Sequence, residues 1–215
     1  MIKKPIVKNL TAIWQQVPVD YYDQGLKNNL LQSIWHRQKW SVLKKMIGGK
    51  KFNLVLDVGC ASGTFTNQLA QFLPGSKICG VDTYDSAIKF ARKKYPYLNF
   101  IKADAHKLPF KENSYDLIIC YETIEHVVNP LLVLKEMRRV LKKDGMAILA
   151  MDSGSLMFRI IWWFWEKTKG QVWDGAHLHP FHHNHLEQII RESGFKIQQK
   201  KFSHLGMEVL FILKK

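Results

Sequence analysis

The sequence predicts an α/β fold in which a seven-stranded, mostly parallel sheet carries helices on both faces and ends in an antiparallel hairpin. Short, almost continuously apolar segments alternate with segments of helical periodicity, which is typical of a parallel sheet buried on both sides. The last two strand-like segments are joined by a short turn, as antiparallel neighbours allow. With 215 residues, 47% of them hydrophobic, the chain is expected to form one domain.

The N-terminal part of the chain is expected to be helical after a loose lead-in over residues 1–19, which contain two prolines. Apolar residues recur at helical spacing from position 26 to position 47. We expect two helices there, with a break near His36 and an end at Gly48-Gly49.

The central part is predicted to contain five strands that alternate with helices. The strands are residues 53–58, 77–82, 99–104, 115–120 and 146–151, and the first two helices are residues 64–73 and 84–94. A third helix is expected from Pro130 to about Lys142, because Asn129 is a favourable N-cap and proline suits the first helical position. Asn184 is predicted to cap a last helix that Gly194 closes, before the terminal hairpin.

The turn after the first predicted strand is bare, since residues 54–58 lead directly into Gly59-Cys60-Ala61-Ser62-Gly63. Ligands of open parallel sheets bind beyond the carboxyl ends of the strands, where the strand order reverses, and the first strand lies at that point. Glycine lets a ligand approach the backbone, although small residues also serve tight helix–sheet packing. The spacing differs from the dinucleotide pattern G-x-G-x-x-G and disfavours a nicotinamide enzyme.

Acidic residues lie at the ends of the first three predicted strands. Asp57 is in the first strand, Asp82 ends the second and Asp104 ends the third. An acid at the end of the second strand can accept hydrogen bonds from both hydroxyls of a ribose. An acid after the third can accept from an exocyclic amine such as that of adenine. Together with the bare turn, these acids predict a nucleoside pocket.

Residues 53–151 resemble the class I S-adenosylmethionine-dependent methyltransferases, in the type 11 branch that includes enzymes of ubiquinone and menaquinone biosynthesis. The resemblance rests on LDVGCASGTF at 56–65, GVD at 80–82 and the stretch from IKADAHKLPF to GMAIL at 101–149. It implies a Rossmann-like methyltransferase fold and S-adenosyl-L-methionine as the cofactor, with S-adenosyl-L-homocysteine as the product. These motifs are specific to the fold and the cofactor, and they do not identify the methyl acceptor.

The resemblance also implies which residues bind the cofactor. They are Asp57, Gly59, Cys60, Ala61 and Gly63 at the methionine end and the sugar, Asp82 at the ribose hydroxyls, Thr83 beside the adenine, Asp104 and Ala105 at the adenine edge, and Tyr121 near the sulfonium. The family often has glycine where this chain has Ala61, but alanine also occurs there.

Methyl transfer needs no nucleophilic side chain, because the methyl group is already activated by its positive sulfur. A base is needed only where the acceptor holds its proton. Candidates for a base or an acceptor contact are His126, His177 and His179, while for His126 fixing the loop after the fourth strand is an equal alternative. The five histidines of residues 177–185 have no Cys or carboxylate partner at ligand spacing, so no metal site is predicted.

The segment LMFRIIWWFWEKTKG at 156–170 is apolar on nearly every face except at Arg159. Such a helix is either buried in the core or lies in an interface. Its most apolar part, residues 156–165, is too short to span a bilayer, which needs about 20 residues. The functional alternative to core packing is a hydrophobic lid for a lipid, quinone or other apolar acceptor, which can also rest on a membrane surface.

The composition says more about the cellular compartment of the protein than about its binding partners. The net charge of +14 is concentrated in residues 1–51, with ten Lys or Arg against two Asp, and in 191–215, with six Lys or Arg against two Glu. This charge suits nucleic acid, an anionic membrane or an acidic substrate, but no RNA-binding signature is present. Three cysteines without a CxxC pair and an N-terminus without a signal peptide's apolar core predict a cytoplasmic protein, with peripheral membrane contact as an alternative.

We therefore expect one methyltransferase domain over residues 1–215. Its parts are an N-terminal helical cap (1–51), a cofactor-binding core (52–152), an acceptor-site insertion or lid (153–183) and a terminal helix with a hairpin (184–215). The expected reaction is methyl transfer to a small-molecule or lipid-like acceptor. The alternatives are an RNA or protein methyltransferase, supported only by charge, and a catalytically silent cofactor-binding or membrane-associating protein of the same fold.

Overall fold

The structure, a computed structural model, describes residues 17–168, 178–179 and 182–215. Its strands are β1 (Leu54–Val58), β2 (Lys77–Asp82), β3 (Asn99–Lys102), β4 (Tyr115–Tyr121), β5 (Leu141–Asp152), β6 (Lys196–Ser203) and β7 (Glu208–Lys214). Its α-helices are α1 (Tyr21–Asn28), α2 (Leu30–Ile47), α3 (Thr64–Phe72), α4 (Asp85–Lys94), α5 (Pro130–Val140), α6 (Leu156–Thr168) and α7 (His183–Glu192). Short 3₁₀ turns cover Ile124–His126 and His204–Gly206.

All seven strands form one sheet in the order β3-β2-β1-β4-β5-β7-β6. Neighbouring strands from β3 to β5 pair in parallel, whereas β7 is antiparallel to both β5 and β6. The predicted fold class, with its terminal hairpin, is confirmed. Because the strand order reverses between β1 and β4, the turn after β1 and the end of β4 lie side by side at the carboxyl edge of the sheet.

Helices cover both faces of the sheet, which is why its central strands are apolar throughout. On one face, Leu43 of α2 and Leu69 of α3 pack against β1 and β4. On the other face, Leu134 of α5 and Ile190 of α7 pack against the same sheet. All four side chains are fully buried, so the two helical layers fix the sheet between them.

Two predicted helix boundaries differ from the structure. The break in the N-terminal helices is at Asn29 and not near His36, which lies inside α2. Asn29 has extended backbone, and its side chain caps α2 by accepting a hydrogen bond from the Gln32 N–H at 3.2 Å. The last helix is capped by His182 and not by Asn184, because the His182 ring accepts from the Asn184 N–H at 3.4 Å.

The apolar helix α6 is exposed along much of the part that the structure describes. Leu156 is 72%, Ile160 is 51% and Phe164 is 61% exposed. Core packing, one of the two alternatives for this segment, is therefore wrong for these side chains. Among the described residues, no helix is both long and apolar enough to cross a membrane.

Candidate active site

The turn after β1 is sharp and is fastened to β2. The N–H groups of Gly59 and Cys60 both donate to the Val81 carbonyl, at 2.8 and 3.0 Å. Gly59, Ala61 and Gly63 all have left-handed backbone, with φ of 80°, 44° and 76°. Glycine adopts this conformation freely, whereas alanine is strained in it. The bend therefore explains the two glycines and leaves Ala61 as a strained position.

The space beside the two glycines is filled by the protein itself. A Cβ on Gly59 would lie 2.1 Å from the Thr123 hydroxyl oxygen, and one on Gly63 would lie 2.6 Å from the ring of Phe100. Both glycines therefore serve close packing inside the protein, which the sequence also allowed. The packing draws β4 and the turn together at the carboxyl edge.

Asp82 is the carboxylate that holds this turn at the end of β2. Its Oδ2 accepts from the Ala61 N–H and its Oδ1 accepts from the Tyr84 N–H, both at 2.9 Å. Burial raises the pKa of Asp82, although these backbone donors oppose the shift. Because each carboxylate oxygen has two lone pairs, both oxygens retain the capacity to accept from a diol.

Asp57 lies one strand away and is only 2% exposed. The Thr66 hydroxyl of α3 donates to its Oδ2 at 2.6 Å. Burial raises the pKa of Asp57 to about 7, the Thr66 hydrogen bond opposes this shift, and the charge of Asp82 adds to it. The structure therefore brings two of the three predicted acids together beside the bare turn.

The third acid, Asp104, lies at the rim of this edge. β3 ends at Lys102, so Asp104 follows the strand, and its side chain is 63% exposed. Although its partial burial raises its pKa, hydrogen bonds from the N–H and the ring of His106, at 2.9 and 2.6 Å, lower it overall. Ala105 is buried beside it, whereas Thr83 at the end of β2 is exposed.

The other two predicted residues face different surroundings. The Cys60 side chain packs with Ile88 and Phe100, away from the carboxyl edge, and burial raises the pKa of its thiol. Cys60 therefore contributes its backbone N–H to the turn, whereas its side chain packs elsewhere. Tyr121 ends β4, with its ring centroid 5.4 Å from that of Phe65 and 5.4 Å from the Lys39 Nζ.

Helix α1 covers the turn from above. Asp23 accepts a hydrogen bond from the Thr64 hydroxyl at 2.6 Å and pairs with Lys94 of α4. The Tyr22 ring packs against His36 of α2, with 4.3 Å between ring centroids. The N-terminal helices therefore close the carboxyl edge on the side of β1 and β4.

Next to the turn, beneath α2, lies a group of charged side chains, which we call the polar cluster: Lys39, Glu122, Glu125, Asp152, His204 and Glu208. All of them are largely buried except Glu122, whose side chain is 35% exposed. Lys39 pairs with Glu122 and lies 3.6 Å from the Glu208 Oε1. The other Glu208 oxygen accepts from Ser203 and lies 3.0 Å from the His204 Nδ1. Burial alone would raise the pKa of Glu208, but Lys39 and these partners lower it.

Comparison with known proteins agrees with this geometry. A family model described as a methyltransferase domain matches residues 56–149, which contain the bare turn, both buried acids and Tyr121. Over this stretch the chain is similar to the class I S-adenosylmethionine-dependent methyltransferases of the type 11 branch. A curated relative, a demethylmenaquinone methyltransferase of Staphylococcus aureus, is 30% identical over 125 residues, which are 56% of this chain and 52% of the relative. The chain thus spans about half the length of the curated relatives it matches.

Solved structures show the same fold. A protein from Pyrococcus horikoshii OT3 aligns with a TM-score of 0.74 and 21% identity, over 94% of this chain and 97% of that one. An S-adenosylmethionine-dependent methyltransferase from Aquifex aeolicus aligns with a TM-score of 0.67 and 18% identity, over 96% and 98% of the two chains. At these identities the likeness concerns the fold.

The cofactor of this family is S-adenosyl-L-methionine, and the residues at the carboxyl edge fit it. Asp82 offers buried acceptor lone pairs suited to ribose hydroxyls. Burial raises the pKa of Asp57, Asp82 is close enough for its charge to add to this rise, and Tyr121 ends the neighbouring strand β4. Asp104 lies at the rim, where the His106 ring contacts one of its oxygens at 2.6 Å.

The three predicted catalytic histidines have different positions. His126 is 9% exposed, with its Nε2 4.0 Å from the Glu125 Oε1. The His179 N–H donates to the Glu125 carbonyl at 3.1 Å, which places both histidines at Glu125. His177 lies outside the described residues. Within the ranges that the structure describes, no three His, Cys, Asp or Glu side chains are grouped to hold a metal ion.

The sequence did not single out the polar cluster. Glu208 has a detectable signal, because it is a lone charge beside the apolar run VLFIL of β7. Lys39 has none, since it reads as one of many lysines on a helix and becomes buried only through contacts with distant strands. Glu125 stands beside His126 in the stretch 101–149 that carries the family resemblance, but no spacing of residues indicates that it is buried.

Proposed function

We propose that this methyltransferase acts on a small, apolar molecule with a hydroxylated aromatic ring, of the reduced quinone type. The observation that carries the proposal is the polar cluster, which sets buried charged groups beside Tyr121 and under aromatic rings. The Trp35 and His204 rings stack there with 3.8 Å between centroids. A ring with one or more hydroxyl groups suits such surroundings. The curated relative from Staphylococcus aureus is a demethylmenaquinone methyltransferase, which adds support.

When bound, S-adenosyl-L-methionine supplies a methyl group activated by its positive sulfur. The contribution of this chain is alignment of the acceptor, exclusion of water and removal of a hydroxyl proton. We propose that Asp82 holds the ribose, that Asp57 and the turn hold the sugar and methionine end, and that Tyr121 lies beside the sulfonium. The predicted roles of Thr83, Asp104 and Ala105 at the adenine remain part of this proposal.

We further propose that α6 rests on a membrane surface, from which a lipid-linked acceptor is taken. Exposed apolar side chains are unfavourable in water and favourable at the boundary of a bilayer. The helix also carries Arg159 and Lys167, and the Lys167 Nζ lies 3.6 Å from the Trp163 ring centroid. Cations next to aromatic rings suit an anionic membrane surface, in keeping with the net charge of +14.

The acceptor class is tested by incubating the purified chain with methyl-labelled S-adenosyl-L-methionine and 1,4-naphthohydroquinone kept under reductant. We expect a labelled, extractable product by mass spectrometry, and none with 1,4-dimethoxynaphthalene, which has no hydroxyl proton. Total RNA and a protein extract serve as the competing acceptors. Label in either of these, with none in the hydroquinone, would replace the proposal with the RNA or protein alternative.

Membrane contact is tested by co-sedimentation with vesicles containing one third anionic lipid. We expect the wild type to sediment with them and Trp163→Glu to remain in the supernatant. Tyr97→Glu is the matched control, since Tyr97 is a 69% exposed aromatic residue on the α4–β3 connection. Equal sedimentation of all three proteins would show that α6 makes no contact with the membrane.

A further inference from the structure

Buried side-chain atoms of the described residues in and beside the polar cluster lack a hydrogen bond, although one of them, the Glu208 Oε1, lies 3.6 Å from the Lys39 Nζ. Within residues 17–168, 178–179 and 182–215, the Tyr121 hydroxyl, the Glu125 Oε2 and the Glu208 Oε1 are buried and make no hydrogen bond. Buried polar atoms are nearly always paired, and groups that are not paired with protein commonly face a ligand or water. Three such atoms, from β4, the turn after it and β7, lie around Lys39.

Glu125 has the central position among them. It lies in the 3₁₀ turn Ile124–His126, four residues after Tyr121, and is 2% exposed. The hydrogen bond from the His179 N–H to its carbonyl helps to hold the backbone in place. Its side chain interacts electrostatically with Lys39 of α2 and Glu208 of β7, and its Oε2 makes no hydrogen bond in the described residues.

We propose that Glu125 is the catalytic base that takes the hydroxyl proton of the acceptor, while the Tyr121 hydroxyl and the Glu208 Oε1 hold the acceptor's oxygen atoms. The inference rests on the proposed function, because it assumes an acceptor with a hydroxylated ring. It adds a residue that neither the motifs nor the predicted histidines include, and it gives His126 and His179 positioning roles at Glu125.

The protonation of Glu125 suits this role. Burial raises its pKa to about 7, a backbone hydrogen bond and the charge of Lys39 oppose the shift, and Glu208 adds to it. Asp152 of β5 and Cys120 of β4 face it as well, and burial and the charge of Glu125 raise the pKa of both. A base that titrates near neutral pH both accepts and releases a proton readily.

In the proposed step, the O–H bond of the acceptor breaks, its proton moves to the Glu125 Oε2, and its electron pair stays with the oxygen and the ring. That pair forms the new bond to the methyl carbon, while the bond from this carbon to sulfur breaks and its electrons remain on the sulfur. Where the new bond is made at a ring carbon, the hydrogen of that carbon leaves as a proton and the ring becomes aromatic again.

The closing experiment measures binding and turnover separately. The complex with S-adenosyl-L-homocysteine is titrated by calorimetry with 1-naphthol and with 1-methoxynaphthalene, which lacks the proton. Wild type is compared with Glu125→Gln and with the control Glu187→Gln. Glu187 is on α7, pairs with Lys200 of β6 and lies outside the polar cluster. Affinity for S-adenosyl-L-homocysteine, measured first, shows that each variant is folded.

We expect the wild type and Glu187→Gln to bind 1-naphthol at least about tenfold more tightly than 1-methoxynaphthalene, as a hydrogen bond to a charged group implies. Glu125→Gln should lose this preference and show kcat on 1,4-naphthohydroquinone reduced by about 100-fold or more. The wild-type kcat/KM should rise with pH to a plateau above about 7, the pKa of Glu125, and the rise should be absent in Glu125→Gln.

Equal binding of the two naphthalenes by the wild type, or unchanged kcat in Glu125→Gln, would overturn the inference. A wild type that prefers 1-naphthol through Glu125 but does not methylate the hydroquinone would refute the proposed acceptor and leave the base in place. If Glu125→Gln does not fold, Tyr121→Phe replaces it, because it removes only a hydroxyl that makes no hydrogen bond in the described residues. It should weaken 1-naphthol binding about fivefold, and unchanged binding would contradict the inference.

Discussion

Lys39 of α2 and Glu208 at the start of β7 form a buried ion pair, with 3.6 Å between Nζ and Oε1 and side-chain exposures of 7% and 0%. Lys39 also pairs with Glu122 at the end of β4. The pair joins the N-terminal helices to the terminal hairpin. Two parts of the chain that are far apart in sequence are thus held together.

Removing this cation should destabilise the fold. In Lys39→Met, the fully buried Glu208 loses its cation, and breaking a buried pair from one side costs about 3–5 kcal/mol. Urea unfolding should show this loss, whereas Lys44→Met, an exposed lysine of the same helix, should change the free energy of unfolding by less than about 0.5 kcal/mol. Equal midpoints for both variants would mean that the pair does not hold α2 to the hairpin.

Cofactor affinity should depend on the Asp82 carboxylate. Asp82→Asn keeps an oxygen for one backbone donor but has one acceptor fewer for the ribose, and a hydrogen bond to a charged group contributes about 1.5–3 kcal/mol. We expect binding of S-adenosyl-L-homocysteine, measured by calorimetry, to weaken at least tenfold. The control is Asp85→Asn, three residues further along the chain, because Asp85 is an exposed acid that pairs with Lys89. Wild-type affinity in Asp82→Asn would place the ribose elsewhere.

The crowding at Gly59 can be separated from its backbone strain. Gly59→Ala brings a Cβ to 2.1 Å from the Thr123 hydroxyl oxygen at a φ of 80°. Gly75→Ala has a similar φ of 90°, but nothing lies within 4 Å of its Cβ. Thermal unfolding should show a loss of about 1 kcal/mol for Gly75→Ala and a loss greater by several kcal/mol for Gly59→Ala. A similar loss in both would mean that Thr123 moves aside without a penalty.

The fold was predictable because it rests on local patterns. Apolar runs separated by helical periods define a parallel sheet, and the carboxyl ends of parallel strands meet at one edge. The positions of Asp57 and Asp82 at one edge of the sheet could therefore be predicted from their strands alone. The break at Asn29 was missed because the apolar spacing continues on both sides of it, and only the capping hydrogen bond to Gln32 reveals the boundary.

Burial of charge and exposure of apolar side chains could not be predicted in the same way. Lys39 is buried because Glu122 and Glu208 reach it from β4 and β7, and those contacts join positions far apart in the chain. Conversely, the apolar character of α6 does not say whether another element covers it, and in the described residues Leu156 and Phe164 are exposed. Such features depend on the assembled layers and not on sequence periodicity.

The stability of the protein should carry a pH dependence that comes from Asp57. Its pKa of about 7 in the folded state exceeds the ordinary value of 3.8, so between these values the folded state binds more protons than the unfolded state. The stabilisation is therefore complete below about pH 4 and is lost as the pH rises through 7, by up to about 1.4 kcal/mol per pH unit. Glu125, with a pKa also about 7, adds a loss of the same sign.

Asp57→Asn separates the contribution of Asp57 from that of carboxyl groups whose pKa is lowered in the folded state, which stabilise the protein more as the pH rises. Asp116 is such a group because, although burial raises its pKa, Lys142 and two backbone donors lower it overall. An amide cannot ionise, and its oxygen still accepts from the Thr66 hydroxyl. Relative to the wild type, the variant should gain free energy of unfolding between pH 5 and pH 8, measured by urea titration at both values. An equal difference in free energy of unfolding between the two proteins at pH 5 and at pH 8 would show that the Asp57 carboxyl is already ionised at pH 5. Water would then reach this carboxyl beside the bare turn.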